Sequence, residues 1–316
     1  MKKSDITALL EGIAEHNQQS LARAISVIAD RRPGWREILH VVWSRTSTAR
    51  FIGITGAPGS GKSTLVDSLI GLYRHQGCRV GVIAIDPSSP FSGGAILGDR
   101  LRMQEHACDP EVFIRSMASR GRLGGLAPAT AETAALMAWA GYDPIMIETV
   151  GVGQSEVDVM TIADVVAMVL VPGNGDSIQA MKAGVMEIGD VFVLNQSDRP
   201  GADRLLAEVQ TALRLAGDDH AAAVFQTVAT EGRGVRELKD GIEAFIASTS
   251  ARPELDEMRR RRRFSMLVNL AVHDMTDGGL PGFQEERPGL MESGSTWADA
   301  VKIAHEYIQW LATRSE

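Results

Sequence analysis

Cysteine is nearly absent from this chain: only Cys78 and Cys108 occur in 316 residues. Two distant thiols make neither a disulfide framework nor a tetrathiolate metal centre, and they fit a reducing compartment. No stretch of 18 continuous apolar residues occurs, and the N-terminal MKKSD runs into a mixed pattern rather than the apolar core of a leader. Neither a membrane span nor an export signal is expected, and the expected location is cytoplasmic. Basic residues are also in deficit, 32 against 40 acidic, for a formal charge of −8. That disfavours a general nucleic-acid-binding surface. No repeat of useful length is present.

What remains is ordinary globular composition, 44% hydrophobic and 23% charged, enough for one large α/β domain with extensions. Ile6, Leu9, Leu10 and Ile13 recur at helical spacing, as do Leu21, Ala24, Ile25 and Ile28. After Arg31-Arg32-Pro33-Gly34, a third helix is expected from Trp35, Ile38, Leu39 and Val42. Residues 1–50 are thus expected as an N-terminal helical extension.

From Phe51 the pattern changes to short apolar runs, at 51–55, 80–85, 144–147, 164–171, 190–194 and 223–228, separated by helical segments. This alternation predicts an α/β fold with a mostly parallel central sheet, its ligands beyond the C-terminal strand ends. The domain is expected over 51–249. Ser248 to Pro253 marks a boundary, and 250–316 is expected as a C-terminal helical region containing five consecutive arginines, Arg259 to Arg263. In so acidic a chain that run is read as a solvated or dimer-facing helix.

The strongest local signal follows the first run. Phe51-Ile52-Gly53-Ile54-Thr55 leads into Gly56-Ala57-Pro58-Gly59-Ser60-Gly61-Lys62-Ser63-Thr64, the full phosphate-loop pattern between a strand and an apolar helix. Its glycines permit a nest of N–H groups facing phosphate oxygens at a helix N-terminus. Lys62 is expected on the β and γ phosphates, and Ser63 on Mg²⁺, a hard cation that takes oxygen ligands.

Carboxylates stand where a metal edge is expected. Asp86 ends one apolar run, Asp99 follows a glycine-bearing segment, and Glu148 ends Ile145-Met146-Ile147. Asp86, Asp99 and Glu148 are therefore candidates for the Mg²⁺ region, and Gly151 for an N–H to the γ phosphate. Capping or ion pairing is the plain alternative for each carboxylate.

After Asp190 to Leu194 come Asn195-Gln196-Ser197-Asp198, similar to the guanine-reading pattern Asn-Lys-x-Asp. A carboxylate at Asp198 accepts from guanine N1–H and the exocyclic amine, a donor pair adenine lacks. Asn195 is expected to tie this loop to the phosphate loop. Val228, Ala229 and Thr230 are candidates for a segment closing over the base. GTP is thereby favoured over ATP.

Assembled, these motifs resemble the methylmalonyl-CoA-mutase-associated GTPases over nearly the full chain. The most specific stretches are Asp86-Pro87-Ser88-Ser89, Ser92 to Arg100, Met117 to Leu126 and Glu148 to Glu156. Gln196 stands where the resembled pattern has lysine, and Val228 where a hydroxyl-bearing residue is common. The resemblance implies a phosphate-loop NTPase fold, a homodimer formed through the C-terminal region, and Mg²⁺-dependent hydrolysis of GTP to GDP and phosphate. It implies a partner, an adenosylcobalamin-dependent acyl-CoA mutase, either methylmalonyl-CoA mutase or a relative handling another branched acyl-CoA. The chain would protect and reactivate that mutase and assist its cofactor loading. No convincing cobalamin-binding signature occurs in the chain itself, so adenosylcobalamin is expected on the partner. The alternatives are a nickel-delivering GTPase metallochaperone, which the lack of a Cys/His cluster disfavours, and a non-hydrolysing nucleotide-gated scaffold.

Overall fold

The computed structural model describes residues 3–43, 48–86, 106, 108–118, 128–149, 155–173, 189–216 and 223–250. Three helices come first: α1 (Lys3–Ala14), α2 (Gln18–Ala29) and α3 (Trp35–Trp43). Asn17 caps α2 by accepting from the Ser20 N–H at 2.9 Å, satisfying one of the donors a helix start leaves over. The expected apolar stripes are the buried ones, with Ile13, Leu21, Ile25, Ile28 and Ile38 all inside.

Seven parallel strands follow among the described residues. They are β1 (Phe51–Gly56), β2 (Val80–Asp86), β3 (Val112–Ala118), β4 (Ile145–Glu148), β5 (Val165–Leu170), β6 (Val191–Leu194) and β7 (Ala223–Gln226). Their order is β3-β2-β4-β1-β5-β6-β7. Between them lie α4 (Lys62–His75), α5 (Pro128–Trp139), α6 (Ser155–Ile162) and α7 (Ala202–Ala216), with α8 (Val235–Ser250) last. Six strands match the runs expected from sequence; β3 is an addition at the sheet edge.

Strand parity sorts the core into two layers, because successive side chains point to opposite faces. On one face Val165, Ala167 and Val169 of β5 join Ile52 and Ile54 of β1 beneath α4 and α8, which contribute Leu65, Leu69, Ile70, Leu238 and Ile242. On the other, Met168 and Leu170 join Phe192 and Leu194 beneath Leu205, Val209 and Leu213 of α7. Burying each large aliphatic contributes about 1.5–3 kcal/mol, so the strand ends are held by a stiff frame.

Two devices fix the frame. Gly53 lets α6 approach β1: a Cβ there would lie 2.8 Å from Val159 Cγ2. On the α5 side, Arg31 forks onto Glu132 at 2.6 and 2.8 Å, joining the α2–α3 turn to a fully buried carboxylate. The described residues belong to one of the chain's two units, Met1–Arg262. Among them no helix is long and apolar enough to cross a membrane.

Candidate active site

β1 sits between β4 and β5, so its C-terminal end opens where the chain's crossovers diverge, the usual ligand crevice of such sheets. The loop leaving β1 turns back into α4 through left-handed residues, Gly59 at φ +78° and Gly61 at φ +84°. At Gly61 a side chain is excluded twice, by that φ and because a Cβ would lie 2.5 Å from Asn195 Nδ2. The Gly61 carbonyl accepts the first helical bond, from the Leu65 N–H at 2.9 Å.

Lys62 is buried, and its ammonium donates to the Gly56 and Ala57 carbonyls at 2.7 and 3.0 Å. Those bonds fold the charge across the mouth of its own loop. The buried Ser60 hydroxyl has no hydrogen-bond partner. A polar atom sealed without a partner is costly, and a phosphate-bearing ligand at this loop offers it acceptors. Pro58, Gly59 and Thr64 are exposed.

β4 runs beside β1, pairing Ile54 with Glu148. That register sets Glu148 next to the start of α4, where the Ser63 hydroxyl donates to its Oε1 at 2.7 Å. Both side chains are buried. An adjoining hydroxyl and carboxylate form an oxygen donor set suited to a hard cation such as Mg²⁺, so the residues present fit that ion. β2 lies on the far side of β4 with Ala84 paired to Glu148, and Asp86 is its last residue, opposite Ala118 of β3. The Asp86 side chain, Asp99 and Gly151 lie outside the described residues.

The base-reading candidates start where β6 ends. Asn195 is 2% exposed, and its amide donates to the Ser60 carbonyl at 2.9 Å. Its Oδ1 accepts from the Thr227 hydroxyl at 3.0 Å and from the Ala229 N–H at 3.2 Å. One side chain thus joins the phosphate loop, the β6 end and the segment after β7. Ser68 of α4 adds a strut, donating to the Ala229 carbonyl at 2.9 Å. Gln196 donates to the Gly59 carbonyl at 3.3 Å. Asp198 and Thr230 are exposed, while Val228 and Ala229 are buried.

Sequence reasoning gave no role to the buried pair Thr55 and Thr149, in which the Thr149 hydroxyl donates to Thr55 Oγ1 at 2.8 Å. It zips β1 to the residue after Glu148. Ser68 was likewise without an assigned role. A threonine or serine one turn or one strand step from each motif was the only hint.

The model describing the methylmalonyl Co-A mutase-associated GTPase MeaB matches residues 21–279, more than half the chain. The chain belongs to that family. GTP hydrolysis is accordingly its reaction, with Mg²⁺ and guanine nucleotide as the family's ligands, and its setting is that of the acyl-CoA mutase chaperones. A putative GTPase of Pyrococcus abyssi is 47% identical over 262 residues, covering 81% of each chain. The mouse protein described as methylmalonic aciduria type A homolog, mitochondrial, is 32% identical over 309 residues, covering 91% of this chain and 74% of its own. Among solved structures, one described as a LAO/AO transport system kinase superposes with a TM-score of 0.69 at 23% identity, covering 98% of this chain and 99% of its own. That likeness carries the fold: the α/β phosphate-loop architecture expected from sequence. Family membership favours the mutase-associated reading over nickel delivery.

Proposed function

We propose that this GTPase uses its nucleotide state to govern contact with an adenosylcobalamin-dependent acyl-CoA mutase, assisting cofactor loading and protecting or reactivating that enzyme. The observation carrying the proposal is Asn195, whose single amide links the phosphate loop to the two segments expected around a guanine base. Occupancy of either half is thereby felt by the other. The mutase partner rests on family membership, supported by the name of the mouse relative. Methylmalonyl-CoA mutase and a relative acting on another branched acyl-CoA are the two candidates. Adenosylcobalamin belongs to that partner. A homodimer through residues 250–316 and a cytoplasmic location complete the reading.

At the site, Gly56 to Thr64 would wrap the phosphates, with loop N–H groups and Lys62 stabilising charge that grows on the γ-phosphoryl oxygens. Moving Lys62 from the Gly56 and Ala57 carbonyls onto phosphate exchanges two neutral acceptors for charged ones, a stronger bond. Water attacks the γ phosphorus, the bond to the β–γ bridging oxygen breaks, and GDP and phosphate leave. Mg²⁺, when bound, supplies neutralisation of phosphate charge, with Ser63, Glu148, Asp86 and Asp99 as the residues to hold it. Gly151 would donate its N–H to the γ phosphate, and Asp198 would read the guanine edge.

Affinity capture with the protein loaded with GTP or GDP, followed by identification of the bound partner and phosphate-release assays with and without it, tests the proposal. Nucleotide-dependent capture of an acyl-CoA mutase and faster hydrolysis in its presence are expected. Equal capture with both nucleotides would remove the switch, and phosphate release at background with the mutase present would favour a non-hydrolysing scaffold.

A further inference from the structure

Two neighbouring side-chain amides bind two neighbouring phosphate-loop carbonyls, and the two bonds are of unequal quality. Asn195 reaches the Ser60 carbonyl at 2.9 Å, and both ends of its amide are used. Gln196 reaches the Gly59 carbonyl at 3.3 Å, near the outer limit of a hydrogen bond. Its backbone holds φ +56°, a left-handed conformation unfavourable for a residue with an unbranched side chain longer than asparagine's. Its Oε1 is enclosed with no hydrogen-bond partner, and a stranded acceptor is a further cost.

We propose that Gln196 is a positioning residue that sets how long the nucleotide stays bound, by holding the Gly59 carbonyl through a deliberately weak tether. The inference rests on the guanine-nucleotide reading of the site and deepens it. Gly59 is exposed and left-handed, at the crown of the phosphate loop. The loop keeps its N–H groups directed inward only while that crown is fixed. Asn195 fixes the loop's inner side at low cost. Gln196 fixes the outer side at the expense of a strained backbone and an unsatisfied oxygen, so this rung opens first and the loop with it. Release of GDP is then rapid from the protein alone, and the bound nucleotide follows the surrounding ratio of GTP to GDP.

The Gly59 tether can be strengthened or cut by substitution at one position. In Gln196→Lys an ammonium donor replaces the amide, with no acceptor left to strand, and charged donors bind about twice as strongly as neutral ones. In Gln196→Asn the left-handed backbone is better tolerated while the amide is one methylene too short for Gly59. Release of a fluorescent GDP analogue, chased with excess GDP and measured on the full chain, should slow about fivefold in Gln196→Lys and quicken about threefold in Gln196→Asn, spans equivalent to one neutral-to-charged or one lost hydrogen bond. Unfolding midpoints of both variants serve as the folding control. A wild-type release rate in Gln196→Asn, or release no slower in Gln196→Lys, overturns the proposal. If wild-type protein shows no preference for the GDP analogue over its ADP counterpart, the guanine reading itself fails, a result separable from either.

Discussion

Ser63 and Glu148 are 85 positions apart, yet the serine hydroxyl donates to the glutamate Oε1 at 2.7 Å inside the sheet edge. The contact needs α4 to begin where β1 ends and β4 to pair with β1 in register, so it reports the fold and the site together. A buried hydroxyl pointing at a carboxylate is a pair of hard oxygen donors held in advance. Glu148→Gln keeps the volume and removes the charge. Half-maximal GTP hydrolysis should then need about 10–100-fold more Mg²⁺, the usual effect of weakening a metal's surroundings. Titrating phosphate release against Mg²⁺ measures it, with circular dichroism confirming the fold. An unchanged Mg²⁺ requirement would take Glu148 out of the metal region.

Asn195 supports a second prediction, because no smaller residue meets its three partners. Asn195→Ala strands the Thr227 hydroxyl, the Ala229 N–H and the Ser60 carbonyl, all near buried backbone. Loss of about 2–3 kcal/mol of stability is expected from the stranded groups, measured by urea unfolding. Guanine-nucleotide binding should fall by more than the stability loss explains, because the phosphate loop is no longer referred to the base loop. Asn195→Asp is the informative companion: it keeps the acceptor for Thr227 and Ala229 and sets a charge against the Ser60 carbonyl.

Contiguous features of this protein were legible in its sequence, and juxtaposed ones only where a motif announced them, as Asn195 did its tie to the phosphate loop. The phosphate loop shows its whole chemistry in nine adjacent residues, and six strands show themselves as apolar runs. β3 escaped because Arg115 breaks its run; in the fold that guanidinium donates to the Ser26 hydroxyl of α2 at 3.1 Å, a partner 89 positions away. Its polarity belongs to the contact between the helical extension and the sheet, which no local pattern encodes. The same holds for Thr55 and Thr149, each unremarkable alone and meaningful only once β1 and the end of β4 lie side by side. Asn195 was legible in part, since a residue after a buried strand and before Asp198 suggested the base loop, while its bonds to Thr227 and Ala229 depend on β6 pairing with β7.

The Arg31 fork onto Glu132 yields a stability prediction. Burial pushes the Glu132 carboxyl above its usual range, opposed by the Arg31 guanidinium that hydrogen-bonds it. The arginine also lies 4.3 Å over the Trp35 ring, so the fork fastens both α2 and α3 to α5. Arg31→Ala leaves a fully buried carboxylate without its cation and should cost about 3–5 kcal/mol. Combining it with Glu132→Met, an apolar residue of similar length, should recover most of that loss. Thermal unfolding of the single and double variants measures the recovery, and purely additive losses would count against the fork as the fastening.

The final prediction concerns pH. Asp109 receives the Arg74 guanidinium at 2.8 and 3.3 Å and the Glu111 N–H at 2.8 Å. The Arg74 hydrogen bond, ahead of the opposing effect of burial, holds its carboxyl below the ordinary 3.8. In the unfolded chain this group takes up its proton near the ordinary value, and in the folded protein only at lower pH. Across that interval the unfolded state binds more protons, so the stabilisation is complete above the ordinary value and drains away as pH falls through the depressed one. Asp109 is about a quarter exposed, so screening keeps its contribution near 1 kcal/mol. Asp109→Asn should therefore lower the urea midpoint at neutral pH, and the gap from wild type should narrow as pH falls from about 5 to about 3. A gap that stayed constant over that range would place the contribution in packing rather than in the charge.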